Sequence, residues 1–146
     1  METEIKGTIT VENVVNAPIS KVWKVWNDPA DIVNWCYASD DWHAPYSEND
    51  LRIDGKLKTT MAAKDGSFSF DFEGVYTKIE EPRLIEYTIA DGRKVKVVFT
   101  DRGNDTKVVE TFEMENTFSE DMQRGGWQAI LDNFKKYAEE KLKTES

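Results

Sequence analysis

The sequence holds one cysteine, Cys36, and one histidine, His43. A lone thiol cannot close an internal disulfide. A zinc site built from several His and Cys ligands has too few donors here. Neither a metal nor another cofactor is expected. Cys36 and His43 lie close enough in sequence for a thiol–imidazole pair in principle, yet nothing beside them suggests an oxyanion site. No Gly-x-Ser-x-Gly elbow, phosphate-binding loop or dinucleotide glycine fingerprint occurs, so no catalytic residue is assigned. Positive charge is also scarce. Nineteen Lys and Arg face 28 Asp and Glu, a net charge of −9. Nucleic acid and anionic membranes both reward a basic face, so neither is expected as a partner. No apolar run is long enough to span a bilayer, and no cationic apolar leader is seen. A cytoplasmic protein is the expectation. There is no internal repeat, and only the first few and last few residues are expected to be disordered.

What is present suits one domain over residues 1–146, with enough chain to bury a core. The clearest stretch is Ser119 to Leu142. Trp127, Ile130, Leu131, Phe134, Ala138 and Leu142 recur at three- and four-residue spacing and share one helical face. Asp132, Lys135, Lys136 and Glu139 fall on the other. Thr117 with Glu120 has capping-box spacing, and Ser119 is a rival cap. Gly125-Gly126 interrupts the pattern at a cost of about 1 kcal/mol per glycine relative to alanine. A kink, close packing, or space left for a ligand would each account for the pair.

Strand signals fill most of the remainder. Gly7 to Val15 alternates around Ile9 and Val11. Asn16-Ala17-Pro18 ends it, and two short helices follow: Ile19 to Asn27, then one capped by Asp28 and running to about Trp35. Trp35 to Tyr46 is rich in aromatics but has no period and reads as loop. From Asp50 to Glu115 come alternating runs: Leu57-Thr59-Met61, Phe68-Phe70-Phe72-Gly74-Tyr76, Ile85-Tyr87-Ile89, Val95-Val97-Phe99 and Val108-Glu110-Phe112-Met114. Asp54-Gly55, Asp65-Gly66, Asp91-Gly92 and Gly103-Asn104-Asp105 punctuate them as hairpin turns. One sheet face is wet and one apolar, and the long helix is the element able to cover the apolar one. The expected fold is α+β. A curved antiparallel sheet of about six to seven strands grips a long C-terminal helix, with two short helices after the first strand.

Glu110 breaks the apolar face. A buried, unpartnered carboxylate costs several kcal/mol or becomes neutral. A bulge that turns it outward, a place near the sheet's end, or service in a site would each explain it. Arg83 and Arg93 share inward parity and are candidate partners. The other inward residues are mostly aromatic. A ligand space between sheet and helix would be lined by Phe70, Phe72, Tyr76, Tyr87, Val97, Phe99, Glu110, Phe112, Trp127 and Leu131. Trp35 and Trp42 would stand near its mouth.

Several stretches resemble a known family. Gln123-Arg-Gly-Gly-Trp127-Gln-Ala-Ile-Leu131-Asp-Asn-Phe134 is similar to the terminal-helix signature of the domain named after the activator of heat-shock protein 90 ATPase. That domain belongs to the START-like, Bet v 1-like superfamily, grouped with polyketide cyclases and lipid-transport proteins. Asp50-Leu-Arg-Ile-Asp-Gly55, Phe70-Asp-Phe-Glu-Gly74-Val-Tyr76 and Asp91-Gly92-Arg93 are similar to its sheet. The resemblance implies a helix-grip fold with a hydrophobic cavity. It also implies ligand or lipid binding, cyclisation in a few members, or regulation of a chaperone in the stress response. The chaperone activators pair this domain with an additional N-terminal domain, for which 146 residues leave no room. The chaperone partner is therefore the lesser expectation. Non-catalytic binding of a small hydrophobic or aromatic molecule is the main one. A cyclase- or hydrolase-like enzyme using an in-cavity carboxylate, with Glu110 or His43 moving protons, and a protein-interaction module using Trp35 to Tyr46 are the alternatives.

Overall fold

The computed structural model describes residues 7–115 and 117–144. The expectation about loose ends falls on residues outside that range. The element order is β1 (Thr8–Val15), α1 (Ile19–Asn27), α2 (Pro29–Ile32), β2 (Trp42–Asn49), β3 (Lys56–Ala63), β4 (Ser69–Glu80), β5 (Leu84–Ile89), β6 (Lys94–Asp101), β7 (Thr106–Glu113) and α3 (Glu120–Thr144). The strands form one antiparallel sheet in the order β1-β7-β6-β5-β4-β3-β2. All neighbours after β2 are consecutive hairpins. The first strand returns to the far edge beside β7 because α1 and α2 carry the chain across.

Alternation drives the sheet. In β5, β6 and β7 every second side chain is buried, from Ile85, Tyr87 and Ile89 to Val108, Glu110 and Phe112. Gly74 of β4 has a specific use. A Cβ there would lie 2.8 Å from the Tyr87 ring, so glycine lets that ring rest against the neighbouring backbone.

The segment Trp35 to Tyr46 is loop only in its first part, because Trp42 already begins β2. The strand was hidden for two reasons. A bulge between His43 and Tyr46 shifts its register against β3 and erases the period of two. Pro45 argues against a central strand, but β2 is an edge strand, where proline is tolerated. The second helix is also shorter than expected, ending at Ile32. Asp28 caps it by accepting from the Ala30 amide at 3.0 Å.

α3 forms for the reasons its pattern suggested. Ser119, rather than Thr117, is the cap: its Oγ accepts the Met122 amide at 3.1 Å. Leu131, Phe134 and Ala138 are completely buried. The helix is also lashed to β1. The side chains of Asn13, Gln128 and Lys135 donate across the gap to Leu131 O (3.0 Å), Glu12 O (3.1 Å) and Val14 O (2.6 Å). Near its far end, the Tyr137 hydroxyl and Lys141 ammonium donate to buried Asp31 at 2.6 and 2.5 Å, tying α2 to α3. These ties hold the helix toward the β1 side of the sheet. On the β2–β4 side it makes no comparable bond among the described residues.

Candidate functional site

That asymmetry leaves a cavity of about 260 Å³ between α3 and the sheet. Its walls come from four directions. Leu57, Thr59, Met61, Phe70, Phe72, Tyr76, Ile85 and Tyr87 project from β3, β4 and β5. Gln123, Trp127 and Ile130 project from α3, and Trp26, Ile32, Trp35 and Cys36 from α1, α2 and the turn after them. Asn27, Asn49, Arg93, Glu110 and Glu115 complete it. A space larger than the roughly 150 Å³ that accepts benzene, and near the lower end of ligand pockets at about 300 Å³, suits a small molecule.

Its aromatic walls are braced by one another. Trp26, Trp35 and Phe134 meet at centroid distances of 4.8 to 4.9 Å. The Phe72 ring stands edge-on to both Tyr87 and Trp127 at 6.2 and 6.1 Å. Trp127 in turn stacks flat on Phe112. Contacts of this kind lock rotamers and preserve an opening that flexible side chains would fill.

The polar groups fall into two sets. One is internally satisfied. The Tyr76 hydroxyl donates to Asn49 Oδ1 at 2.5 Å, Asn49 Nδ2 donates to Asn27 O at 2.8 Å, and Asn27 Nδ2 donates to Trp23 O at 2.9 Å. Gln123 belongs to the same set. It accepts the Glu115 amide at 2.9 Å and donates to Glu115 O and Phe118 O at 3.2 and 2.8 Å, splinting the entry of α3 to the end of β7. The other set has no hydrogen-bond partner among the described residues: the Tyr87 hydroxyl, the Cys36 thiol and Glu110. Glu110 is 5% exposed, and among the described residues no hydrogen bond or ion pair engages its carboxyl. Burial alone pushes its pKa up to about 8. Neighbouring acids respond in the same sense. The Cys36 thiol is pushed up to about 12, first by burial and then by Glu110. Tyr87 is raised well above the ordinary phenol value by burial, then by Glu110, Tyr76 and Cys36, with Arg93 opposing.

Glu110 is not turned out by a bulge. β7 keeps an unbroken register on both sides, with Glu110 opposite Val11 of β1 and Val97 of β6. It lies in the middle of its strand, not at the sheet's end. Neither expected arginine partner reaches it. Arg83 is exposed. Arg93 lines the cavity but is held elsewhere, by Asp91 at 2.8 Å, Glu115 at 3.7 Å and the Glu113 carbonyl at 3.5 Å.

Of the residues expected to line the space, Trp35, Phe70, Phe72, Tyr76, Tyr87, Glu110 and Trp127 do so. Val97, Phe99, Phe112 and Leu131 do not. They are fully buried in the core, Val97 and Phe99 from β6, Phe112 from β7 and Leu131 from α3. Trp35 is not at a mouth but deep in the aromatic cluster, 4% exposed. Trp42 stands outside the cavity, edge-on to the exposed rings of Phe68 and Phe70 at 6.1 and 6.0 Å. His43 is exposed on β2 and does not line the cavity. Several lining residues escaped the sequence reading. Cys36, Asn49 and Gln123 had only position as a clue: two sit just outside regular periodicity, and Gln123 lies one turn before Trp127 on α3. The paired glycines have no packing role, since a Cβ on either would meet nothing within 4 Å.

Three comparisons bear on this site. The family model described as Activator of Hsp90 ATPase homolog 1-like protein matches residues 16–139. A solution structure of the AHSA1-like protein from Aeromonas hydrophila is 44% identical, covers 90% of this chain and 92% of its own, and superposes with a TM-score of 0.85. A protein from Cytophaga hutchinsonii is 56% identical, with 93% and 94% coverage and a TM-score of 0.79. A protein from Nitrosomonas europaea shares the fold at 14% identity, with 97% and 99% coverage and a TM-score of 0.81. No curated protein matches the chain.

Proposed function

The chain belongs to the family of activator of Hsp90 ATPase homolog 1-like proteins, and from that premise we propose that it binds a small hydrophobic or aromatic molecule without transforming it. The observation that supports this reading is the aromatic-walled cavity of about 260 Å³ between α3 and β3–β5. Apolar concave space with a few placed polar groups is the usual form of a small-molecule site. Among the described residues, no nucleophile is hydrogen-bonded to a base in that cavity, which favours binding over turnover. The size of the space excludes two-chain lipids as whole occupants. Titration with small aromatic compounds, followed by amide and methyl NMR shifts, tests the reading. Shifts should cluster at Met61, Tyr87, Trp127 and Ile130. Ligands that shift only surface positions, or none that bind, would overturn it.

A second reading rests on a different observation. Half-buried Trp42 and the exposed rings of Phe68 and Phe70 form an aromatic group at the β3–β4 hairpin end. Exposed apolar patches of this kind mark contact sites, and a chaperone is the partner the family name suggests. The surface proposed for it moves accordingly from Trp35–Tyr46 to these three rings, because Trp35 is buried. Stimulation of Hsp90 ATPase by the wild-type chain, and its loss in Phe68→Ser with Phe70→Ser, would support this. An unchanged ATPase rate would remove it.

A further inference from the structure

We infer that the cavity selects a small organic cation, an arylalkylamine bound as its ammonium, with the Glu110 carboxylate as its counter-ion and the surrounding rings as its cradle. The inference rests on the cavity being a ligand site and names the chemistry of the occupant. Three observations lead to it.

First, among the described residues Glu110 is the carboxyl in the space that no protein group engages, and the Tyr87 hydroxyl and Cys36 thiol beside it are likewise without hydrogen-bond partners. Tyr76, Asn49, Asn27 and Gln123 satisfy one another or the backbone, so a ligand gains nothing by competing for them. Arg93 is neutralised by Asp91 and Glu115, so it offers little to an anion. Once ionised, that carboxylate only accepts, so the partner that completes it must donate. Second, the walls are largely aromatic. Trp26, Trp35, Phe72, Tyr87 and Trp127 surround the space, and ring faces attract cations by their quadrupole. An ammonium uses both the carboxylate and the rings. A hydroxyl uses only the former, and a carboxylate ligand is repelled by the ionised Glu110 and by the rings. Third, the chain as a whole is acidic, at −9, which favours the approach of cations.

Binding has a defined proton balance. In the empty site at neutral pH, burial keeps the proton on Glu110. Entry of the ammonium displaces that proton to solvent, so the cavity exchanges one positive charge for another and never holds an unpaired one. The other titratable groups facing the space are Cys36 from the turn after α2, Tyr76 from β4, Tyr87 from β5, Arg93 before β6 and Glu115 after β7. Burial holds Cys36, Tyr76 and Tyr87 in their neutral forms across neutral pH, so Glu110 dominates the pH response.

The test titrates the full chain with 2-phenylethylammonium, its neutral isostere propylbenzene, and 3-phenylpropionate, by calorimetry and NMR. Phenylethylammonium should bind the wild type more than about tenfold tighter at about pH 8 than at about pH 6, with release of close to one proton at the lower pH. Glu110→Gln should weaken it by about 10- to 100-fold while leaving propylbenzene within about threefold. If Glu110→Gln does not fold, the wild-type pH profile decides, and a flat profile overturns the inference. Propylbenzene binding without phenylethylammonium binding, or preference for 3-phenylpropionate, also overturns it and leaves the apolar-ligand reading standing. If none of the three binds, both fall.

Discussion

The indole of Trp127 lies flat on the ring of Phe112, with centroids 3.9 Å apart and planes 12° from parallel. Phe112 is fully buried in β7, and Trp127 sits on the face of α3 that lines the cavity. One side of the indole is therefore core and the other is wall. The stack fixes how far α3 can approach the sheet at this level, and so sets the width of the space.

Removing the indole should cost stability and shape together. Trp127→Ala is expected to lower unfolding free energy by about 2–4 kcal/mol, since the side chain is only partly buried but forfeits both the stack and its edge contact with Phe72. Trp127→Phe should cost less than half as much. Urea melts of the three proteins measure this, and equal stability of wild type and Trp127→Ala would contradict the placement.

Glu110 should impose an unusual pH dependence on stability. Its folded pKa of about 8 lies above the ordinary value of 4.5. Between those values the folded chain holds a proton that the unfolded chain has lost, so stability falls as pH rises from about 4.5 to about 8 and levels off above. At about 1.4 kcal/mol per pKa unit the whole fall is on the order of 5 kcal/mol. Glu110→Gln should abolish this component and be the more stable protein at about pH 8. Denaturant melts across the range, compared between the two proteins, would show parallel curves if Glu110 were solvated.

Gly125 should be replaceable with profit. It lies within α3, it is exposed, and an added Cβ meets nothing within 4 Å. Gly125→Ala is expected to stabilise by about 0.5–1 kcal/mol through helix propensity and a less flexible unfolded chain. In a domain of this size that is a rise of about 2–4 °C in Tm. A lower Tm would mean that α3 needs the glycine for a bend.

The sheet and the long helix were legible because period reports burial. Val95, Val97 and Phe99 alternate and are all buried, and Leu131, Phe134 and Ala138 keep helical spacing and are completely buried. β2 was illegible because its bulge and Pro45 remove the period. Glu110 was legible as an anomaly, since strand parity alone placed it inward, but parity cannot exclude a bulge. Only the paired register of β7 with β1 and β6 does that.

The chain's own pattern of apolar residues decided that a curved sheet would grip one helix and which faces would meet. Such information is local, carried by spacings of two and of three to four residues. Where the grip stays loose was decided elsewhere. Asn13, Gln128 and Lys135 tie α3 to β1 across more than a hundred residues, while Trp26, Trp35 and Phe134 brace the space beside Cys36. These partners meet only after folding. An empty volume belongs to no residue, so no stretch of sequence can encode it alone.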